Sequence, residues 1–410
     1  RGRVVASQQQ HRRSIIGTGA VLIALSGPGQ TAGFSVFVDP LTEHLDVSRG
    51  QLTFAYLVGT LAASTTGTWL GRMIDRRGVA PVLPWVALAL CVSTMLASVS
   101  TNLAMLTVAI YGLRSFGQTG MPLSASVFVA KNILQRRGAA LGLLTALGGS
   151  TISLTPFIAA RLIPSLGWKT TWVVEGVFVL MMGLVMSVVI RRLRLEHPHV
   201  DDEAADSASA ETQIPRNLRR NGFLVVTFGY ATTGFVSTAL AFHQIAVLGE
   251  RGLSPAAAAS NFLPQSISAA VVALTIGRLV DRVPSRIVVP FAMSVMSVAV
   301  MSLTFVGSRL GAIGFAVALG SAAASMAASE GALLARWIGR ETLGTWRGRM
   351  TSVMVVSTAV APFTFSVLAD WVGSYSSAAR LMVLLPITAG LIAVCTPLPA
   401  DENRPTKQAA

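Results

Sequence analysis

Charge is scarce in this chain. Asp, Glu, Lys and Arg make up only 12% of its 410 residues, against about 25% in soluble domains. That excludes an ordinary water-soluble globule. Cysteine is nearly absent: Cys91 and Cys395 each sit inside an apolar run. Two isolated thiols exclude a disulfide framework and read as packing residues. No nucleophile–base pair, metal-ligand cluster or phosphate-binding loop stands out. An enzyme and an ATP-driven machine therefore have no support, and no metal or cofactor is expected. Lysine is rare too, 3 of 32 basic residues, the rest being Arg, a composition that fits a GC-rich bacterial genome.

Apolar sequence fills the space. The hydrophobic share is 52% and the mean hydropathy is +0.62. Uncharged windows of about 20 residues recur along the whole length, as bilayer-spanning helices require. They are too long for barrel strands and do not alternate. The expectation is an all-α membrane protein with 12 transmembrane helices, at about 14–38, 51–70, 81–101, 103–130, 139–160, 170–190, 222–246, 256–276, 287–307, 310–333, 350–369 and 379–397. The first run is too long for a secretory h-region and lacks a small-residue cleavage site, so it is expected to stay as a span.

The net charge of +14 raises nucleic acid as a partner, and its distribution answers. With the N-terminus inside, 25 of the 32 basic residues fall in cytoplasmic segments. Six fall in outer loops (Arg49, Arg161, Lys169, Arg251, Arg309, Arg380), and Arg114 lies within a span. This is the positive-inside asymmetry. It places both termini in the cytoplasm of a bacterium, the chain in its inner membrane, and the partner as lipid rather than nucleic acid. The organisation expected is a cytoplasmic tail (1–13), a six-helix bundle (14–190), a cytoplasmic linker (191–221), a second six-helix bundle (222–397) and a tail (398–410). The linker has basic ends, an acidic Ser/Ala-rich middle and no apolar period, so it reads as mostly disordered.

The bundles repeat each other. Gly71, Asp75 and Arg76 in "GRMIDRRG" return 206 residues later as Gly277, Asp281 and Arg282 in "GRLVDRVP". Ser48 and Ser254 share that offset, and Arg137-Gly138 matches Arg347-Gly348 at 210. Duplicated parallel halves are a transporter architecture with substrate bound between them.

A Gly-x-x-x-Asp-Arg-x-Gly motif after the second span, filled by Gly71, Asp75, Arg76 and Gly78, with a weaker copy after the eighth, resembles the major facilitator superfamily over the whole chain. The resemblance implies two pseudo-symmetric six-helix halves, alternating access, and a motif that latches the cytoplasmic side in the outward-facing state. Arg77 reads as a topology signal. Val79-Ala80-Pro81 and Val283-Pro284 depart from the family pattern.

Polar residues inside spans are the candidate site. Arg114, about 11 residues into the fourth span, cannot deprotonate and must meet an anion, whether a protein carboxylate or a substrate. Gln118 lies one turn on. Arg114 with Gly117 loosely resembles an Arg-x-x-x-Gly pattern that the family's antiporters link to proton coupling. In "SGPGQTAG", Pro28 is expected to break the first span and expose carbonyls beside Gln30; close packing by the small residues is the alternative. Tyr230 and Thr233 hold a comparable place in the seventh span. Asn261, Gln265 and Ser268 form a polar stripe that lines either a cavity or a helix interface. His243 is either titratable machinery or a solvated helix end. Glu330 is either a proton carrier or an interfacial partner of Arg336 or Arg340, and Glu175 reads as interfacial.

The expectation is a monomeric secondary transporter of a small organic anion, coupled to protons. "GFSVFVDPLTEHLDVSRG" is similar to the bacterial monocarboxylate-porter and oxalate–formate branch of the family, although that branch's animal relatives carry an acidic first helix that is missing here. The alternative is a proton-coupled multidrug efflux antiporter. Against it stand the absence of an acid in the first helix and of the antiporters' Gly-Pro signature in the fifth, where Gly148-Gly149 and a displaced Pro156 stand instead.

Overall fold

The computed structural model describes residues 2–133, 137–195, 215–280, 283–337 and 340–399. They form helices grouped into twelve traverses, six in each half. Eight helices are long and apolar enough to cross a membrane, and they belong to the third and the sixth to twelfth traverses.

The other four traverses are broken, all in the first half; in the second half the eighth is interrupted at Asn261 and the twelfth at Met382–Val383. The first runs Gly2–Ala24, a 3-10 turn Gly27–Gly29 and Thr31–Ser35. Pro28 breaks it as expected: proline supplies no N–H and clashes with the preceding turn. The second runs Arg49–Ala63 and Thr66–Arg77. The fourth runs Leu103–Gly112, a π-helix Leu113–Gly120 and Met121–Asn132. The fifth runs Arg137–Ile152 and Leu154–Leu166. In the second half the seventh (Arg216–Phe242), tenth (Arg309–Trp337) and eleventh (Arg340–Val372) are continuous.

Helices run past the expected span ends. Residues 2–13, expected as a tail, continue the first helix, the sixth (Trp168–Leu195) extends into the linker, and the seventh starts at Arg216. The middle of the linker, 196–214, lies outside the described residues.

The 206-residue repeat extends to the turns. Ser48 caps the second traverse with a full capping box to Gln51, and Ser254 caps the eighth by accepting from Ala257 N–H. Left-handed residues recur at the same spacing: Asp46 (φ 51°) with Gly252 (φ 83°), and Gly167 (φ 78°) with Gly373 (φ 76°). Both cysteines are free, Cys91 buried and Cys395 exposed, so the expectation of two packed thiols holds only for the first.

Among the described residues, the ring contacts joining the halves lie toward the Arg-poor end, which the charge count makes the outer one. Phe242 of the seventh traverse meets Phe34 (5.8 Å between ring centroids) and Tyr56 (4.7 Å). Phe54 meets Phe363 at 5.7 Å, and the Arg49 guanidinium lies 5.7 Å from the Tyr375 ring while pairing with Asp39.

Candidate substrate and coupling site

Two backbone irregularities make the site. The 3-10 turn at Pro28 and the π-helix of the fourth traverse press together: a Cβ on Gly29 would stand 2.2 Å from the Leu113 carbonyl oxygen, and one on Gly117 2.6 Å from the Gly29 Cα. Only glycine at both positions allows that approach. The break leaves the Gly29 carbonyl without an intrahelical partner, and Arg114 takes it. Its Nη1 donates to Gly29 O at 3.0 Å and to Thr31 Oγ1 at 3.3 Å. Thr31 Oγ1 and Tyr56 Oη are 3.0 Å apart, and the Tyr56 ring lies 5.1 Å from the guanidinium carbon, a cation–π contact.

Arg114 is 2% exposed, and its Nε and Nη2 have no hydrogen-bond partner. Among the described residues its ion pair is not made: the salt bridge there is Arg49 with Asp39. A buried guanidinium held by one carbonyl, one hydroxyl and one ring is under-compensated by several kcal/mol. The three N–H groups on these two nitrogens remain for an incoming acceptor. A π-helix also aims side chains that an α-helix would place elsewhere, and such bulges concentrate at functional sites.

The other expected residues divide. Gln30 is half-buried at the break and donates to Ser26 Oγ at 2.9 Å; Gln118 is half-buried, and its backbone N lies 2.8 Å from where a Gly29 Cβ would be. These two belong with Arg114. His243 does not behave as a solvated helix end. It is 1% exposed at the break after Phe242, with Nε2 3.0 Å from the Pro362 carbonyl and its ring on Tyr375 at 5.1 Å. It is one ring in the outer closure, since apolar and aromatic neighbours fill the break. Asn261 is fully buried, donates to the Ala312 carbonyl at 2.7 Å and accepts from Arg309 at 3.0 Å. It ties the eighth to the tenth traverse, the interface reading of its stripe. Gln265 is half-buried on the same helix with an unpartnered Oε1. Tyr230 packs in the inner core of the second half. Glu330 is 5% exposed on the tenth traverse; the side chains of Arg336 and Arg340, its expected partners in the interfacial reading, lie outside the described residues.

At the repeated motif, Gly71 is helical, Gly78 turns the chain at φ 82° and Arg76 is exposed. The Asp75 side chain, Asp281 and Arg282 lie outside the described residues, and Gly277 ends within the Phe262–Val280 helix.

The sequence reading missed Thr31 and Tyr56. Thr31 carried a signal, standing three residues after Pro28 where the freed carbonyls gather. It also placed Glu175 at the interface. The residue is half-buried, and its Oε2 is enclosed without a partner.

The comparisons agree with this architecture. A family model described as Major Facilitator Superfamily matches residues 19–308 and 223–410. An "MFS-type efflux pump" of Mycolicibacterium smegmatis is 25% identical over 352 residues, 82% of this chain and 80% of that protein. Among solved structures, a bacterial homolog of the human lysosomal transporter Spinster in its inward-facing, unoccupied conformation aligns with a TM-score of 0.68 at 14% identity, over 94% of this chain and 96% of that one. The inward-facing, occupied form aligns equally well at 13% identity, over 93% and 96%. This chain belongs to the Major Facilitator Superfamily and is a multi-pass membrane transporter.

Proposed function

We propose that the protein is a proton-coupled efflux transporter that exports small organic compounds by alternating access. Arg114 then senses substrate or proton state from the break in the first traverse. The observation that carries this is the buried guanidinium with two unpartnered nitrogens, one ring (Tyr56) away from the contact with the other half at Phe242. Export is favoured over the monocarboxylate reading by the efflux pump that matches four-fifths of the chain. The objection that the first helix lacks an acid weakens, because Glu175 and Glu330 are membrane-level carboxyls out of water. The exposed Arg76 and the turn at Gly78 fit a latch released while the outer end is shut.

A second reading is favoured by the same donors: three unpartnered N–H groups on a permanent cation suit an organic anion. Proteoliposomes with an imposed pH gradient separate the two. Proton-driven movement of ethidium that is lost in Arg114→Gln supports the efflux reading. Gradient-stimulated movement of labelled carboxylates, with ethidium inert, replaces it with the anion reading. Indifference of both probes to the gradient overturns proton coupling.

A further inference from the structure

The first half has a second concavity that Arg114 does not line. A groove of about 400 Å³ opens between the first, fifth and sixth traverses, a size that accepts a drug-sized molecule. Its rim is made by Leu154, Ile158 and Phe178, which are 43%, 49% and 59% exposed on apolar spans. The mouth therefore faces hydrocarbon and not the interface between the halves. The floor is apolar except for Thr151, Thr155 and Glu175. Thr151 gives its hydroxyl to the Gly148 carbonyl at 2.8 Å. Glu175 is the single ionisable group, and its Oε2 is enclosed without a hydrogen-bond partner.

Depth adds to this. Glu175 stands seven residues into the helix Trp168–Leu195, about 10 Å from its outer end. A carboxylate charge there has no neighbouring cation and little water, a costly state that an incoming cation relieves. The groove offers no hydrogen-bond pattern for a polar ligand. It offers one negative charge at the end of an apolar slot reached from the lipid.

We infer that this groove is a binding site for lipophilic monocations entering from the bilayer, with Glu175 as the counter-charge. The site is separate from the Arg114 site yet touches it through the chain. Pro28 lines the groove, and the next residue, Gly29, holds Arg114 by its carbonyl. An occupant resting on Pro28 bears on the turn that positions the guanidinium. The inference is independent of what the main pathway carries or in which direction.

The test is equilibrium binding of radiolabelled tetraphenylphosphonium to the full chain in phosphatidylcholine nanodiscs, with empty discs subtracted. Glu175→Gln is expected to weaken binding about tenfold or more, since it removes the only counter-charge. Glu175→Asp keeps most of the affinity. Ile158→Trp fills the mouth, leaves the carboxylate in place and weakens binding similarly, so it decides the matter if Glu175→Gln does not fold. Gly314→Ala, on the tenth traverse away from both sites, binds as the parent does. Binding unchanged in both Glu175→Gln and Ile158→Trp overturns the site and leaves the groove to lipid chains. Binding lost in Arg114→Gln but kept in Glu175→Gln moves the cation to the other site and overturns it equally. Failure of these variants to alter binding leaves the efflux reading standing, because transport is not what is measured.

Discussion

The two halves share their ends and differ in their middles. Caps recur at Ser48 and Ser254, and left-handed turns recur at 206-residue spacing. Between those ends the first half is interrupted at Gly27–Gly29, Ser64–Thr65, Leu113–Gly120 and Ser153. In the second half the eighth and twelfth are interrupted at Asn261 and Met382–Val383, while the seventh, tenth and eleventh traverses run unbroken for 27, 29 and 33 residues. Where the first half has Arg114 in a π-helix, the residue 206 positions on is Gly320, where a Cβ would stand 2.0 Å from the Gln265 carbonyl. One copy uses the position for charge, the other for close packing. Several buried polar groups of the second half end on a neighbour's backbone, as Asn261 does on Ala312 and Ser357 on Ala231. Turns that fold both copies are kept alike, while the mid-membrane positions are free to diverge. The first half has become the one that carries the proline break, the π-helix and the buried guanidinium.

The largest effect should come from filling the contact between the irregular elements. Gly29→Ala or Gly117→Ala drives a methyl into backbone, which cannot yield as a side chain does. The cost is expected at the upper end of the ~1–3 kcal/mol typical of overpacking. Gly314, on the continuous tenth helix, has nothing within 4 Å of a Cβ. Gly314→Ala should be neutral or stabilise by up to about 1 kcal/mol. Thermal unfolding in detergent compares them, and equal melting of Gly29→Ala and Gly314→Ala breaks the contrast between the halves.

Next come two variants of opposite sign. Arg114→Met removes a charge without a paired anion, so it should abolish transport while leaving stability unchanged or raising it by about 1 kcal/mol or more. Asn261→Ala removes the side-chain donor to the Ala312 carbonyl and one of the three acceptors of Arg309, which keeps the Ala257 carbonyl and the Ser260 hydroxyl. It should cost about 1–3 kcal/mol and leave most transport. Paired unfolding and uptake measurements on the two give the sign of each; loss of stability in Arg114→Met would mean that the guanidinium is structural.

Much of this was legible in the sequence and the rest was not, for physical reasons. Twelve apolar runs, the charge asymmetry and the copied "GRMIDRRG" identify the fold, because hydrophobic length and Lys/Arg placement are local properties. Pro28 announces its own break. The π-helix does not, since its cause is the Gly29–Gly117 approach between two spans. Tyr56 reaches Arg114 only after the chain has folded. Asn261 and His243 look like candidate ligands because polarity in an apolar run is visible, while the carbonyls of Ala312 and Pro362 that absorb it belong to other helices. Glu175 shows the same limit: closeness to a helix end suggested water, while the groove it lines with the first and fifth traverses exists only in the folded chain.

A smaller effect lies at the outer closure, where the halves touch. Arg49→Ala removes a cation–π contact to Tyr375 and the pair with Asp39. At about 0.5–1 kcal/mol it should shift the population toward an open outer end some two- to fivefold. Spin labels at Glu43 and Gly249, both exposed and on opposite halves, report the distance distribution. The same broadening in Tyr375→Leu, with no further change in the double variant, assigns the effect to that contact. Full additivity would assign Arg49 to another partner.

The smallest effect compares one contact in its two copies. In the first half His44 lies against Trp168 at the start of the sixth traverse, rings 5.2 Å apart. The equivalent positions 206 residues on are Glu250 and Ser374. There a carboxylate accepts from the Tyr375 and Ser376 backbone N–H groups, each at 2.8 Å, and from the Ser374 hydroxyl at 3.0 Å. Partial burial raises the Glu250 pKa, but the donors of Ser376, Tyr375 and Ser374 outweigh it and hold the carboxyl below its ordinary range. A depressed folded-state pKa means stability that is present above the unfolded value of about 4.3 and fades as pH falls through the folded value. Glu250→Gln should therefore melt below the parent at pH 7, and the gap should close on acidification below about pH 4. The side chain is largely exposed, so the gap is small. His44→Gln leaves that acid-dependent gap in place, because the first copy holds its helix with a ring. A Glu250→Gln gap that stays constant down to pH 3 would mean that the loop, and not the carboxylate charge, secures the twelfth traverse.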